Sequence, residues 1–299
     1  MNLINITNIN QKNLYGHDKI FYELSNLYNK KKLPKKIILS GPKGIGKSTL
    51  SYHLINYIFS KSESNKYSLE KLTINDKNRS FNLVKNNTHP NFYLIDVAEG
   101  KKNIEIEQIR QMITFCNKSS FNNQEKIILI DNVDKLNLNA VNALLKKIEE
   151  PNDNIFFILI LDSNKKILET LKSRCIKFNL FFSFNESLQI TNKIINQNLK
   201  DLINPDIINY YSSPGHNINL INFSIKNDVD ILNINLEKFL LLLIDNSYYK
   251  KDKFINNNIY QYLEFYLLKL INKKNSKHIY FLYRSEERRV GKECRSRWS

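Results

Sequence analysis

The sequence predicts an α/β fold, in which a mostly parallel β-sheet is flanked by helices and followed by purely helical segments. Five short apolar segments alternate with stretches of helical periodicity, which is the pattern of successive βαβ units. A glycine-rich loop follows the first segment and leads directly into a helical stretch. After about residue 180 only helical periodicity remains. The predicted strands are residues 36–40 (KIILS), 92–96 (FYLID), 126–131 (KIILID), 155–161 (IFFILIL) and 174–178 (RCIKF).

Helices are predicted where apolar residues recur every three or four positions. This spacing occurs within residues 106–116 and 140–148, and the second of these helices is expected to end at Pro151, because the residue before a proline disfavours helical backbone. Residues 60–87 are polar and are expected to hold a helix end and an insertion. The remaining predicted helices are residues 165–172, 186–198, 205–211, 236–246 and 257–270.

Composition indicates a globular protein of the reduced cytoplasm. The chain has 299 residues and 42% hydrophobic content, enough for one full α/β domain and smaller helical ones. No apolar run approaches the roughly 20 residues of a membrane span, and the first residues lack the order of a signal peptide. Cys116, Cys175 and Cys294 lie far apart, so we expect neither a disulfide framework nor a zinc knuckle.

The last sixteen residues, 284–299 (RSEERRVGKECRSRWS), differ in composition from the rest. They contain five of the eight arginines and the single tryptophan, with no asparagine or isoleucine, and we interpret them as a non-native tail. Without them the formal net charge of +16 becomes +13. Such a surplus attracts polyanions such as DNA, but lysine also accumulates on surfaces encoded by A/T-rich genes. The charge alone therefore does not decide between these readings.

Residues 41–48 read GPKGIGKS, which is a complete GxxxxGK[ST] phosphate-binding loop, or P-loop. The glycines permit a tight turn that aims backbone N–H groups at phosphate oxygens. Lys47 is expected to reach the β and γ phosphates, and Ser48 to bind magnesium. The predicted nucleotide-binding residues are Gly41, Pro42, Lys43, Gly44, Ile45, Gly46, Lys47, Ser48 and Thr49.

The third predicted strand ends in Asp131, which suits a Walker B carboxylate that helps Ser48 to hold magnesium. Hydrolytic P-loop proteins of this class usually carry glutamate directly after this aspartate to orient the attacking water. Here the next residue is Asn132, whose amide cannot accept a proton from water. The sequence therefore predicts that ATP and Mg²⁺ can bind but that hydrolysis by this chain is weak or absent.

Residues 131–151 (DNVDKLNLNAVNALLKKIEEP), a following apolar strand and residues 171–175 (LKSRC) resemble the core of the bacterial AAA+ clamp-loader family. Residues 88–96 (THPNFYLID) and 213–215 (SPG) resemble its DNA polymerase III delta prime branch. The resemblance covers about residues 12–220. It implies an AAA+ P-loop NTPase core at residues 1–180, a helical lid at 181–225 and a helical collar at 226–283, which we expect to be truncated.

The resemblance also implies roles and partners. Arg174 matches the arginine of the family's SRC motif, an arginine finger that serves the ATP site of an adjacent subunit. The expected partners are motor subunits of the gamma or tau type and a delta subunit in a hetero-pentamer. The sliding clamp and primer-template DNA are reached through that complex. Many relatives carry a four-cysteine zinc module after the P-loop helix, but residues 60–90 contain no cysteine, so no zinc is expected.

Two departures from the active motor favour the delta prime reading, in which the chain is a stator in DNA replication. One is Asn132, and the other is Gly215, which stands where active members place a sensor arginine. An ATPase motor subunit of the same loader is an alternative. A P-loop kinase of small molecules would use the same loop but explains neither residues 173–175 nor the helical segments. A DNA-binding module without partners is supported by charge alone.

Overall fold

The computed structural model describes residues 3–4, 8–150, 154–209 and 212–274, with side chains as far as residue 271. These residues form two compact units. The first consists of Leu3–Gln197 and Ser212–Ile218, and the second of residues 198–209 and 219–274. The predicted domain limits at residues 180, 225 and 283 stay a prediction, and the proposed non-native tail lies outside the described residues.

The first unit is built on a five-stranded, entirely parallel sheet. The strand order is β2-β3-β4-β1-β5, so that β1 lies between β4 and β5 and its carboxyl end is flanked by strands on both sides. All five predicted strands are present, with bounds that differ by at most two residues. They are β1 (Lys36–Gly41), β2 (Phe92–Ile95), β3 (Lys126–Ile130), β4 (Ile155–Asp162) and β5 (Ile176–Asn179).

Helices cover both faces of this sheet because its three inner strands, β1, β3 and β4, are apolar on both sides. On β1, Ile37 and Leu39 pack into one hydrophobic cluster with α1 and α2, while Ile38 between them packs into the other cluster with α4 and α5. The same alternation holds along β3 and β4. The helices are α1 (Asp18–Asn29), α2 (Lys47–Phe59), α3 (Arg79–Lys85), α4 (Ile106–Asn117), α5 (Leu138–Glu149), α6 (Glu169–Lys172) and α7 (Phe184–Ile195).

The helices that follow are α8 (Pro214–Asn227), α9 (Leu236–Asp245), α10 (Tyr248–Lys251) and α11 (Lys253–Lys274). In the second unit the ring of Tyr262 is fully buried and meets Phe239 edge-to-face at 5.4 Å. Phe239 in turn lies 6.4 Å from Phe223. Aromatic packing of this kind fixes α8, α9 and α11 against one another. Among the helices that the structure describes, none has the length and apolar content needed to cross a membrane.

The predicted helix at residues 205–211 is wrong for the part that the structure describes. Residues 205–207 form a turn, in which the Asn204 side chain accepts from the Asp206 N–H at 2.9 Å. The Asp206 carboxylate accepts from the backbone N–H of Leu236 at 2.9 Å and from Lys269 Nζ at 2.6 Å. These tertiary contacts, together with the local turn made by Asn204, override a short apolar pattern. Residues 210 and 211 lie outside the described residues.

Candidate nucleotide-binding site

The P-loop lies at the carboxyl end of β1 and leads into α2, as predicted. Gly41 is the last residue of β1, and Lys47 is the first of α2. Gly44 and Gly46 have φ angles of 80° and 96°, a left-handed backbone that favours glycine at both positions. Local chain geometry thus explains two of the glycines in the motif.

Five successive carbonyl groups of the loop, those of residues 41–45, each accept a hydrogen bond from a residue of the same unit. Lys47 Nζ donates to the Gly41 and Pro42 oxygens, at 2.7 Å each. The other donors are Ser213 Oγ to Lys43 O at 2.8 Å, Gly215 N–H to Gly44 O at 3.0 Å and His17 Nε2 to Ile45 O at 2.8 Å.

The backbone N–H groups of the loop differ from its carbonyl groups in their hydrogen bonding. The backbone N–H groups of residues 43–49 have no acceptor among the described residues. Those of residues 47–49 belong to the first turn of α2, where the helix leaves donors free and its dipole favours an anion. Free amides next to a helix N-terminus are suited to phosphate oxygens.

Lys47 supplies the positive charge of the loop, although its side chain is buried. Burial lowers the pKa of the Lys47 ammonium, while the nearby carboxylates of Asp162, Asp131 and Asp134 act in the opposite direction. Its Nζ lies against the two loop carbonyls. To reach a phosphate, the ammonium must therefore exchange these carbonyl contacts for phosphate oxygens, and charge-assisted hydrogen bonds favour that exchange.

Ser48 and Asp131, the two predicted magnesium ligands, lie together. Ser48 Oγ donates to Asp131 Oδ2 at 2.7 Å. Burial raises the pKa of the Asp131 carboxyl, the bond from Ser48 lowers it, and the Asp96 carboxylate raises it further. A hydroxyl and a carboxylate beside a phosphate loop are oxygen donors of the kind Mg²⁺ prefers, so the residues present fit a magnesium ion that also binds phosphate and water.

Asn132 takes a left-handed conformation with φ of 57° directly after Asp131. Its backbone N–H donates to Asp131 Oδ1 at 2.8 Å, and its side-chain Nδ2 donates to Asp96 Oδ1 at 2.8 Å. Asp96 follows β2, and β2 pairs with β3 so that Ile95 lies opposite Ile130. A carboxylate is therefore present beside Asp131, although it comes from the neighbouring strand and not from position 132.

Arg174 lies in the turn between α6 and β5, at the opposite end of the sheet from the P-loop. β5 begins at Ile176, which pairs with Ile37, and Gly41 lies four residues farther along β1, about 13 Å at about 3.3 Å per residue. The Arg174 guanidinium binds Glu149 Oε1 at 2.6 Å and the Thr170 carbonyl at 2.8 Å. Its side chain is 38% exposed. The structure thus separates Arg174 from the other predicted site residues.

A sequence profile of the family described as DNA polymerase III, delta subunit, matches residues 16–182, which is more than half of the chain. The chain belongs to this family. The predicted clamp-loader resemblance is thereby confirmed. So is the predicted architecture, in which a P-loop follows the first strand of a parallel sheet flanked by helices and a helical region comes after it.

Individual relatives include two kinds of subunit. DNA polymerase III subunit delta' of Pseudomonas aeruginosa is 29% identical over 140 residues, or 47% of this chain and 41% of the relative. DNA polymerase III subunit gamma of Buchnera aphidicola subsp. Schizaphis graminum is 28% identical over 253 residues, or 78% and 65%. The chain spans less than two thirds of either relative. The RuvB Holliday junction branch migration motor of Thermotoga maritima is similar in structure, with a TM-score of 0.44 at 16% identity over 76% of this chain and 70% of that one.

Three residues lie near the P-loop although the sequence did not predict them as part of the site. They are His17, Asp96 and Asp162. Asp96 ends a predicted strand, and a polar residue at a strand's carboxyl end is a usable signal in parallel sheets. Asp162 ends β4 in the same way, opposite Gly41. His17 precedes α1, a helix that was not predicted, and its contact with Ile45 spans 28 positions. No local pattern indicates such a contact.

Proposed function

We propose that this chain is the delta prime subunit of the DNA polymerase III clamp loader, a stator that supplies Arg174 to the ATP site of an adjoining motor subunit. Its relatives with delta' and gamma names support a clamp-loader subunit. In the proposal it assembles with motor and delta subunits, and the complex places the sliding clamp on primed DNA. Its own P-loop binds Mg²⁺ and nucleotide but hydrolyses ATP negligibly.

The observation that carries the proposal is the position of Arg174 at the amino end of the strands, whereas the P-loop lies at the carboxyl end. Gly41 is about 13 Å along β1 from the residue opposite the start of β5, so Arg174 is too far away to serve the P-loop of its own chain. The guanidinium is half-exposed at the surface and available to another molecule. Phosphoryl transfer spreads negative charge over phosphate oxygens, which a planar guanidinium stabilises.

The choice of delta prime over a motor subunit rests on two positions. Asn132 leaves the hydrolytic position without a carboxylate of its own. At Gly215, where active members are expected to carry a sensor arginine, an added Cβ would lie 2.9 Å from both the Cα and the carbonyl oxygen of Gly44. A side chain at residue 215 is therefore incompatible with this packing, and both features favour a subunit that does not turn over ATP.

The test is ATP hydrolysis by a loader reconstituted from motor subunits, a delta subunit and this chain. Arg174→Ala and Arg174→Lys are expected to reduce hydrolysis at the ATP site of the one adjoining motor subunit by about 10³-fold or more while assembly is retained, because a finger in trans contributes about 10³ to 10⁵ in rate. Hydrolysis by the whole loader should therefore fall by the share of that one site. Arg110→Ala is the matched control, since Arg110 is also an exposed arginine in an ion pair, with Glu107 at 3.4 Å. Complexes with Arg174→Ala that hydrolyse ATP like the wild type would show that Arg174 is only structural.

A further inference from the structure

We infer that His17, Ser213 and Gly215 form a brace on the P-loop, which holds its backbone in a phosphate-binding shape before any nucleotide arrives. The three are positioning residues that act through the loop and do not touch the phosphate themselves. The inference rests on the part of the proposed function that assigns residues 41–49 to nucleotide phosphates. It does not depend on Arg174 or on clamp loading.

The brace contacts one side of the loop. Its donors bind the carbonyl oxygens of three consecutive residues, Lys43, Gly44 and Ile45, at 2.8, 3.0 and 2.8 Å. In a planar trans peptide the C=O of one residue and the N–H of the next point in opposite directions. Fixing the carbonyls of residues 43–45 therefore aims the amides of residues 44–46 to the other side. Those amides have no acceptor within the described part of the chain.

The brace requires glycine at residue 215 for a steric reason. Its N–H reaches Gly44 O because the two backbones pass each other without side chains between them. A Cβ on Gly215 would lie 2.9 Å from Gly44 Cα, and a Cβ on Gly44 would lie 2.4 Å from Ser213 Oγ. Both distances are shorter than real Cβ contacts permit. The close approach of residues 213–215 to the loop therefore depends on Gly44 and Gly215 together.

Ser213 and His17 are held in place by their own surroundings. Ser213 Oγ donates to Lys43 O and accepts from the backbone N–H of His216 at 3.2 Å, so the start of α8 positions the hydroxyl. His17 is buried, and its ring stacks on Phe182 with centroids 4.2 Å apart and an angle of 18° between the planes. Side chains fixed in this way lose little further freedom when they hold the loop.

A loop that is already ordered binds phosphate more tightly, because the ordering cost does not reduce the affinity. Removing one brace contact is expected to weaken the binding of MgADP about two- to tenfold, the range of a single net hydrogen bond. The loop keeps Lys47 and its glycines in each variant. The effect therefore separates shaping of the loop from direct contact with phosphate.

The experiment measures the dissociation constant of MgADP with the full chain by isothermal titration calorimetry. His17→Leu, Ser213→Ala and Gly215→Ala are expected to weaken binding, whereas His17→Gln, which retains an N–H donor near the position of Nε2, is expected to bind within about twofold of the wild type. Gly100→Ala is the control for backbone strain without a steric clash, because a Cβ at Gly100 has no neighbour within 4 Å although the φ of 76° at this position disfavours alanine. Far-UV circular dichroism identifies any variant that fails to fold.

Each result bears on the inference. Weaker binding by the folded brace variants, with recovery in His17→Gln, supports it, and Ser213→Ala alone is sufficient if the bulkier changes prevent folding. Equal binding overturns the brace while leaving the nucleotide assignment intact. Tighter binding by the variants also overturns it, and would mean that His17, Ser213 and Gly215 hinder nucleotide binding to the loop. If the wild type binds MgADP no better than Lys47→Ala does, the nucleotide assignment fails, and the brace fails with it.

Discussion

Lowering the pH from 7 to 5 is expected to destabilise the folded chain strongly, because three histidines are buried in the neutral form. His17, His53 and His89 are 8%, 0% and 7% exposed. Burial is the largest cause that lowers the pKa of each ring from 6.5 to about 4. The rings have fixed partners: His53 binds Tyr67 and Gln11, and His89 accepts from the Asn91 N–H.

The size of the effect follows from the difference in pKa between the folded and unfolded chain. At pH 7 these rings are mostly neutral in both states, so little stability depends on them. As the pH falls below 6.5, the unfolded chain takes up protons that the folded chain refuses until about pH 4. The folded state therefore loses a little under about 2 kcal/mol per histidine between pH 7 and pH 5, or roughly 5 kcal/mol for the three. The raised pKa of Asp131 acts in the opposite direction, since folding favours its protonated form.

The assay is urea unfolding at pH 7, 6 and 5, followed by circular dichroism and fluorescence. A loss of roughly 5 kcal/mol is comparable to the whole stability of many domains, so the midpoint should approach zero urea near pH 5. His89→Gln removes one titrating group and should reduce the pH-dependent loss by about 2 kcal/mol. A total loss below about 1 kcal/mol, or a loss that histidine replacement leaves unchanged, would refute the reasoning.

Two further predictions concern the ion pair at Arg174 and the carboxylate beside Asp131. Glu149→Gln should lower the ATP concentration for half-maximal hydrolysis by the assembled loader up to about fivefold, since a pair of half-exposed charges contributes about 0.2–1 kcal/mol and the carboxylate no longer competes with phosphate. A changed melting temperature with an unchanged ATP dependence would assign Glu149 a structural role alone. Asn132→Glu alone should leave ATP hydrolysis by the isolated chain negligible, because the new carboxylate faces Asp96. The double variant Asp96→Asn with Asn132→Glu should release phosphate at least about tenfold faster than Asn132→Glu alone, because the new carboxylate is then free to orient water. Equal rates in the two variants would contradict this.

The strands β1 to β4 were predictable because their side chains are mostly apolar on both faces and each is bounded by polar residues or glycine. In β5, Ile176 and Phe178 alternate with polar residues. Helix α8 was missed because Ser213 and Pro214 were read only as part of a motif. A serine before a proline is also a favourable helix start, with serine as the cap and proline in the first turn. The helix predicted at residues 205–211 is not formed in the described residues, because long-range contacts outweigh the local apolar pattern. Asp206 accepts hydrogen bonds from residues 30 and 63 positions farther along the chain.

In the site, the parts contributed by contiguous sequence were predictable and the parts contributed by strand order were not. The P-loop is local, and the pairing of Ser48 with Asp131 follows once β3 is placed near β1. The place of Asp96 in the site could be predicted only with the knowledge that β2 lies beside β3, because only that order brings its carboxylate to Asn132. The absence of glutamate at residue 132 therefore did not mean the absence of a carboxylate at the site.

Under the proposed function, the positions of Arg174 and the P-loop would let one chain take part in two ATP sites without coupling them directly. Parallel strands place everything that precedes a strand at one edge of the sheet and everything that follows it at the other. Arg174 precedes β5, whereas Gly41, Asp96 and Asp131 follow β1, β2 and β3. Substitutions more than about 10 Å apart with no shared partner usually have additive effects. Changes at the brace and at Arg174 should therefore act independently, so each role can be removed while the other is measured.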